Sequence, residues 1–303
     1  MRKVLSLSLA LQLLVLSAVT NAMMTYIYNA PESAQDSRYR YQWKILQTAL
    51  DKTVPKYGAY QMLKAEVMSE RRQQKELISA SGKLTVMYLD TNPTLEKKLV
   101  PVRIPVDKNL VGYRVFLIRK QDAPRFASIH SLEELKKFSY GLGLGWLDVD
   151  ILRANGFKVV TGSSYEGLFD MLMHRRFDVF LRGANEVLGE YEARKKSLPD
   201  LYIEPNILLY YPLPMYFWFS KTREGRYLAK RVEDGMWMMI HDGSYDRIFN
   251  QYQGYKIKQL NLKHRKLFKI RNPLLVPETP FADKRLWFDL KNYREKPTDA
   301  DQN

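Results

Sequence analysis

Strand-like and helix-like segments alternate along most of this chain, and that alternation limits it to an α/β fold. The first strand is read at Met24–Tyr28. Residues 39–51 follow, with Tyr39, Trp43, Leu46 and Leu50 at helical spacing. Residues 60–67 and 84–89 read as strands, with a polar helix at 70–79 between them. Residues 112–118 form an apolar, β-rich run suited to bridging two lobes. A second α/β unit comes next. Ser131, with Glu134 three residues on, is a capping box that opens a short helix. Residues 139–144, 157–160 and 177–181 read as strands, separated by helices at 148–154 and 164–174. Asn155-Gly156 closes the first of these helices, and Tyr165, Leu168, Met171 and Leu172 mark the buried stripe of the second. Residues 207–219, broken by Pro212 and Pro214, read as a return crossing. Helices at 226–240 and 245–251 precede a basic tail marked by Pro273, Pro277 and Pro280. This order places a first lobe at 23–113, a second at 114–210, a return to the first at 211–253 and an extension at 254–303. Two crossings make a hinge, and a cleft between hinged lobes is a common place for a small molecule.

Residues 1–22 have the three parts of a secretory signal. Arg2 and Lys3 supply the positive start, and residues 4–19 the apolar stretch. Thr20 and Ala22 are the small residues of a cut expected after Ala22. The address expected is the periplasm. A spanning helix needs about 20 apolar residues. No later run reaches that without charge or proline, so no stable membrane insertion is expected after cleavage. The chain has no cysteine. That excludes disulfides, thiolate metal sites, cysteine nucleophiles and a lipoprotein anchor. The 281 residues left from 303 after a cut at 22 are enough to bury a core without disulfide staples. The formal net charge of +15 becomes +13 once Arg2 and Lys3 are removed, which favours anionic contacts. Export and the lack of any zinc-finger or RNA-binding signature argue against nucleic acid.

The segment SSYEGLFDMLMHRRFDVFLRGANE, residues 163–186, resembles the second lobe of the family 3 extracellular solute-binding proteins, periplasmic receptors for polar amino acids. Ser164-Tyr165-Glu166 matches their helix start, Leu168 to Met173 their apolar helix, Arg175-Arg176 the turn, and Phe177 to Phe180 the Asp-containing strand. MWMMIHDGSYDRIFNQY, within residues 235–252, is similar to their closing helices. The resemblance covers about residues 24–253. The tail, NPLLVPETPFADKRLWFDL, resembles a little-characterised branch of transporter substrate-binding-like proteins. The resemblance implies an α/β, two-lobed type II periplasmic-binding-protein clamshell with two hinge crossings. It also implies closure on a solute, no cofactor, no chemistry, and an inner-membrane permease or a sensor protein as partner.

In such a clamshell the solute meets strand-end loops of both lobes. These are Asn29, Glu32, Tyr88 and Asp90 in the first, and Trp146, Asp148 and Arg182 in the second. Trp146 would stack on the solute, or pack in the core; Asp148 would cap its helix, whose free amides suit a carboxylate. The family arginine that holds an α-carboxylate follows a Thr-x-Glu element. Thr94-Leu95-Glu96-Lys97 places Lys97 there, or Lys98 with a slip of one. The family acid that holds the α-amino group falls near Gly183, beside Arg182. Arg182, Arg103 and the net charge therefore favour an organic anion over a standard amino acid. Asp178 reads as a maker of local hydrogen bonds.

Other signals lead nowhere. Gly141, Gly143 and Gly145 lack the sixth-position glycine of a dinucleotide loop, where Trp146 stands. The four histidines are scattered. No GxSxG elbow occurs. Two further functions remain open: a dehydratase-like enzyme using Glu32, Asp90 or Asp148, and a ligand-free envelope interaction module whose tail fills its own cleft, with Trp287 and Phe288 as the plug.

Overall fold

The structure, a computed structural model, describes residues 23–30 and 39–294. The expected signal segment and Glu32 lie outside the described residues. The first lobe holds strands β1 (Met24–Tyr28), β2 (Tyr60–Lys64), β3 (Met87–Asp90) and β4 (Leu99–Val102). The second holds β5 (Tyr113–Arg119), β6 (Ser139–Gly143), β7 (Lys158–Gly162), β8 (Val179–Gly183), β9 (Leu201–Ile203) and β10 (Ile207–Tyr210). The chain then returns to the first lobe through β11 (Met215–Ser220) and ends its strands with β12 (Lys266–Lys269).

The two sheets share one plan. In the first lobe β1 lies parallel to β2, a parallel bridge from Tyr28 to Val86 joins β3, and β11 runs antiparallel between β3 and β4. In the second, β6 lies parallel between β7 and β8, and β5 runs antiparallel between β8 and β10. Each sheet thus has the strand order 2-1-3-n-4, where n is the strand that enters directly after a crossing. The clamshell expected from the sequence is the fold observed.

Helix α1 (Arg40–Lys52) buries Tyr41, Ile45, Leu46, Ala49 and Leu50, a 3.6-residue stripe, against α6 (Arg223–His241). Gly235 of α6 makes that approach possible: a Cβ there would sit 2.1 Å from the Ala49 carbonyl oxygen. The chain also forms helices α2 (Glu70–Ile78), α3 (Leu147–Ala154), α4 (Tyr165–Met173), α5 (Val187–Arg194) and α7 (Ser244–Gln259). Ser131 and Glu134 form the expected capping box, although its helix is a single turn.

The two crossings, at about 103–112 and 211–214, run side by side. Leu213 N donates to Asn109 Oδ1 at 2.7 Å, Tyr211 N to the Gly112 carbonyl at 3.2 Å, and Val106 N to the Met215 carbonyl at 2.9 Å. Pro212 and Pro214 offer no N–H, which ends β10 and keeps it apart from β11. A Cβ on Gly112 would lie 2.5 Å from the Tyr211 carbonyl oxygen, so only glycine lets the crossings touch.

Buried Asp107 sits at this hinge. It accepts from Asn109 N (3.0 Å), Val111 N (2.9 Å) and Asn185 Nδ2 (3.4 Å). Burial nevertheless dominates and pushes its carboxyl up to about 7, the amide bonds only partly offsetting it. A carboxyl raised on folding holds its proton longer in the native state. Its contribution is complete below the unfolded carboxylate range and is lost as pH rises through about 7. The stability of the protein relative to Asp107→Asn is expected to fall between about pH 4 and pH 7. Urea midpoints of the two proteins at pH 5 and pH 8 check this. A difference that does not change with pH contradicts it.

The tail is structured well beyond the expected extension. Helix α7 runs eight residues past the predicted 251, to Gln259. Strand β12 then adds to the free edge of β10 in the second lobe, with Leu208 opposite Leu267. Beyond it, Phe288 comes back to the first lobe and packs on Phe249 of α7, with ring centroids 5.8 Å apart. Phe288 N donates to the Lys108 carbonyl at 2.7 Å, and Arg285 lies over Trp237 of α6. The tail is a strap from the second lobe to the first.

Candidate functional site

Between the lobes lies a narrow cleft of about 70 Å³. Tyr39, Gln42, Glu70, Tyr88 and Asp90 line it from the first lobe, and Arg114, Trp146, Asp148, Arg182 and Glu186 from the second. Five of the nine expected site residues, Tyr88, Asp90, Trp146, Asp148 and Arg182, are therefore brought together. They converge because β3, β6 and β8 all end at the cleft, as strand ends do in α/β sheets.

Three others are not brought to it. Asn29 is buried at the end of β1 with its Oδ1 unpartnered, but it does not line the cleft. Lys97 is exposed at the end of a short helix, away from the cleft, so it does not replace the family arginine. Arg103 pairs with Glu96 outside the cleft. Buried Leu95 fills the core beside these residues, and this forces the polar side chains of the same turn outward.

The second-lobe wall is a network of paired charges. Arg114 is 2% exposed and binds Asp148, which also accepts from the Tyr211 hydroxyl. Arg114 Nη1 donates to the Val111 carbonyl at 3.0 Å, while its Nε is buried with no partner. The expected cap at Asp148 is not made: Trp146 occupies the N-cap, and no side chain caps the helix. Asp148 turns instead to Arg114, because a buried guanidinium needs a counter-charge more than an amide does. Arg182 is bidentate to Glu190, through Nε at 2.7 Å and Nη2 at 2.6 Å, and meets Glu186 at 3.0 Å. Burial opposes its charge, but Glu186 and Glu190 outweigh burial and hold its pKa above the arginine range. Its guanidinium lies 4.9 Å from the Trp146 ring centroid. Half-buried Trp146 thus serves as the platform of Arg182, stacked on Phe180 beneath. Asp178 makes the local bonds expected of it, to Ser139 N (3.0 Å), Ser139 Oγ (2.9 Å) and Arg125 (3.1 Å).

The first-lobe wall differs. Asp90 is 9% exposed and no group of the described residues donates to its carboxylate. Burial raises its carboxyl well above the usual range. Glu70 and Asp148 raise it further, against Arg114. Gln42, 2% exposed, has its Oε1 unpartnered.

Sequence reasoning missed Arg114, Gln42, Glu70 and Glu186. Two had a signal. Arg114 is the one charge inside the apolar run Tyr113 to Ile118, and Gln42 is a polar residue on the stripe shared by Tyr39, Ile45 and Leu46. Glu70 and Glu186 stand at helix starts, where acids are ordinary.

Among the described residues no helix is long and apolar enough to cross a membrane, and no group of His, Asp or Glu is placed to hold a metal. Paired 2-1-3-n-4 sheets, two crossings and a cleft at the strand ends define the type II periplasmic-binding-protein architecture. Solved structures agree. A reconstructed ancestral arginine-binding protein bound to arginine matches with TM-score 0.54 at 18% identity, over 75% of this chain and 97% of that one. An amino acid ABC transporter substrate-binding protein from Streptococcus pneumoniae, bound to L-arginine, matches with TM-score 0.56 at 12% identity, over 78% and 95%. A histidine kinase sensor domain similar to periplasmic binding proteins matches with TM-score 0.53 at 13% identity, over 77% and 96%. No family model matches the sequence, and no curated protein matches it. At these identities the likeness carries the fold.

Proposed function

We propose that this protein is a periplasmic, non-enzymatic solute-binding protein that closes on a small polar solute. It would deliver the solute to a permease or report it to a membrane sensor. The observation that carries this reading is the cleft, to which each lobe contributes polar side chains. Closure then gains contacts that the open form lacks, and this difference is what lets a solute shift the equilibrium. The similar structures support both outlets, since transporter proteins and a sensor domain are among them. The envelope-module reading has less support, because Trp287 and Phe288 pack against α7 and the 280–293 turn rather than plugging the cleft.

The expectation of an anionic solute rested on Arg182, Arg103 and the net charge. Arg182 is already paired with two glutamates, and Arg103 stands away from the cleft. Among the described residues the cleft walls therefore add no support for an anion.

A thermal-shift panel of amino acids, amines, dicarboxylates and sugars tests the binding reading. A solute at about 100 times its Kd stabilises by roughly 2.7 kcal/mol. A selective shift that Trp146→Ala abolishes is expected. The absence of any shift across all four classes would sink the reading.

A further inference from the structure

The cleft is narrow, about 70 Å³, where small-molecule sites commonly run to about 300–1,000 Å³. A solute therefore enters only when the lobes part, and whatever limits their angle controls entry. Besides the two crossings, the tail joins the lobes, and it holds each at a separate anchor. On the second lobe, Ile270 N donates to the Tyr210 carbonyl at 2.9 Å, and Asn155 Nδ2 to the Arg271 carbonyl at 2.8 Å. Asn272 Nδ2 then donates to the carbonyl of Pro212, in the second crossing, at 2.9 Å. On the first lobe, Arg285 lies over Trp237, and buried Phe288 packs on Phe249.

Residues 274–283, between these anchors, are not a slack loop. Pro277 and Pro280 fix φ within the segment, and Pro273 fixes it just before. Thr279 N donates to the Val276 carbonyl at 3.1 Å, and Phe281 N to the Thr279 carbonyl at 2.8 Å. Trp287 closes the turn. Its Nε1 donates to the Pro280 carbonyl at 2.8 Å, and its ring stacks on Phe281 with centroids 4.8 Å apart. A flexible linker sets only a greatest distance between its ends, whereas a folded, proline-fixed one sets the distance itself.

We propose that the tail is a brace across the hinge, which confines the two lobes to a narrow range of angles before any solute arrives. The brace goes beyond the binding reading and does not depend on it, since the contacts that form it lie outside the cleft. Lobes joined by short connections move relative to one another by default. Two crossings leave that hinge free to bend, and a stiff third connection removes most of the freedom. A further tie acts in parallel. Lys256 Nζ, on α7, donates to the Asn185 carbonyl of the second lobe at 2.7 Å, so the helix that receives Phe288 is itself held across the hinge.

The chain has no cysteine, so two introduced ones carry spin labels without interference. Lys75→Cys on α2 and Asp170→Cys on α4, both exposed positions, put one label on each lobe. Pulsed dipolar spectroscopy on residues 23–303, with no solute added, then reads the distribution of distances between the lobes. A single narrow distribution is expected. Arg285→Ala with Phe288→Ala releases the first-lobe anchor. Pro273→Gly, Pro277→Gly and Pro280→Gly together soften the link and leave both anchors in place. Each set is expected to widen the distribution at least about twofold. The glycine set decides the matter if the anchor set does not fold. A distribution as broad in the unaltered tail as in both variants would overturn the brace. Widening by the anchor set alone would overturn the stiff link and leave a slack tether. Neither result touches the binding reading, which the thermal-shift panel tests, and silence in that panel leaves the brace standing.

Discussion

Asp148→Ala is expected to lower stability by about 3–5 kcal/mol, far more than the loss of one hydrogen bond. The cost comes from what remains. Arg114 is buried, and without Asp148 its charge loses its direct carboxylate partner and keeps the Val111 carbonyl, the face of Tyr211 and the more distant field of Glu186 and Asp90. The Tyr211 hydroxyl loses its acceptor at the same time. A fall in Tm of roughly 2–4 °C per kcal/mol makes the effect plain in calorimetry. The double variant Arg114→Met with Asp148→Leu is expected to recover most of the loss, since a buried pair replaced by apolar groups of similar volume is often neutral. A single variant that costs less than about 1 kcal/mol, or a double variant no better than the single one, would show that the pair is not what holds this wall.

Truncation after Gln259 is expected to do still more. It removes β12, and with it Ile270, Leu286 and Phe288, all buried. Each such side chain contributes roughly 1.5–3 kcal/mol on burial, against a whole-protein stability of about 5–15 kcal/mol. Arg265 goes as well, with its bonds to the Leu260 and Ile207 carbonyls at 2.7 and 3.2 Å. Buried Glu204, whose carboxyl burial raises, then loses the Arg265 guanidinium. The shortened chain is expected to lose near-ultraviolet circular dichroism and to bind a hydrophobic dye at 25 °C. A cooperative melt within about 5 °C of the full chain would show the strap to be ornamental.

How much of this was legible in the sequence depended on how local the signal was. The strand at Met24–Tyr28, the Ser131 capping box and the stripe of Tyr165, Leu168 and Leu172 are written in neighbouring residues, and they stand as read. Strand β4 was missed because Leu99 to Val102 contains Pro101, which disfavours a strand unless its partner needs no donor there. Strand β12 was missed because KLFK reads as a basic tail until β10 is seen beside it. For the cleft, chain order gave the strand ends and hence Tyr88, Asp90, Trp146 and Arg182. It did not show who pairs with whom. Arg182 and Glu190 are eight residues apart and Arg114 and Asp148 thirty-four, so the charge balance of the wall became visible only once both lobes were in place.

Strand β12 also dates the moment at which the second lobe is finished. Its neighbour β10 emerges from the ribosome more than fifty residues earlier, with the backbone edge of Ile207–Tyr210 open on that side. A nascent chain fed out N-terminus first therefore carries an unpaired strand edge through most of its remaining synthesis, and such edges recruit strands from other chains. Residues 266–269 act as a late stitch that closes this edge.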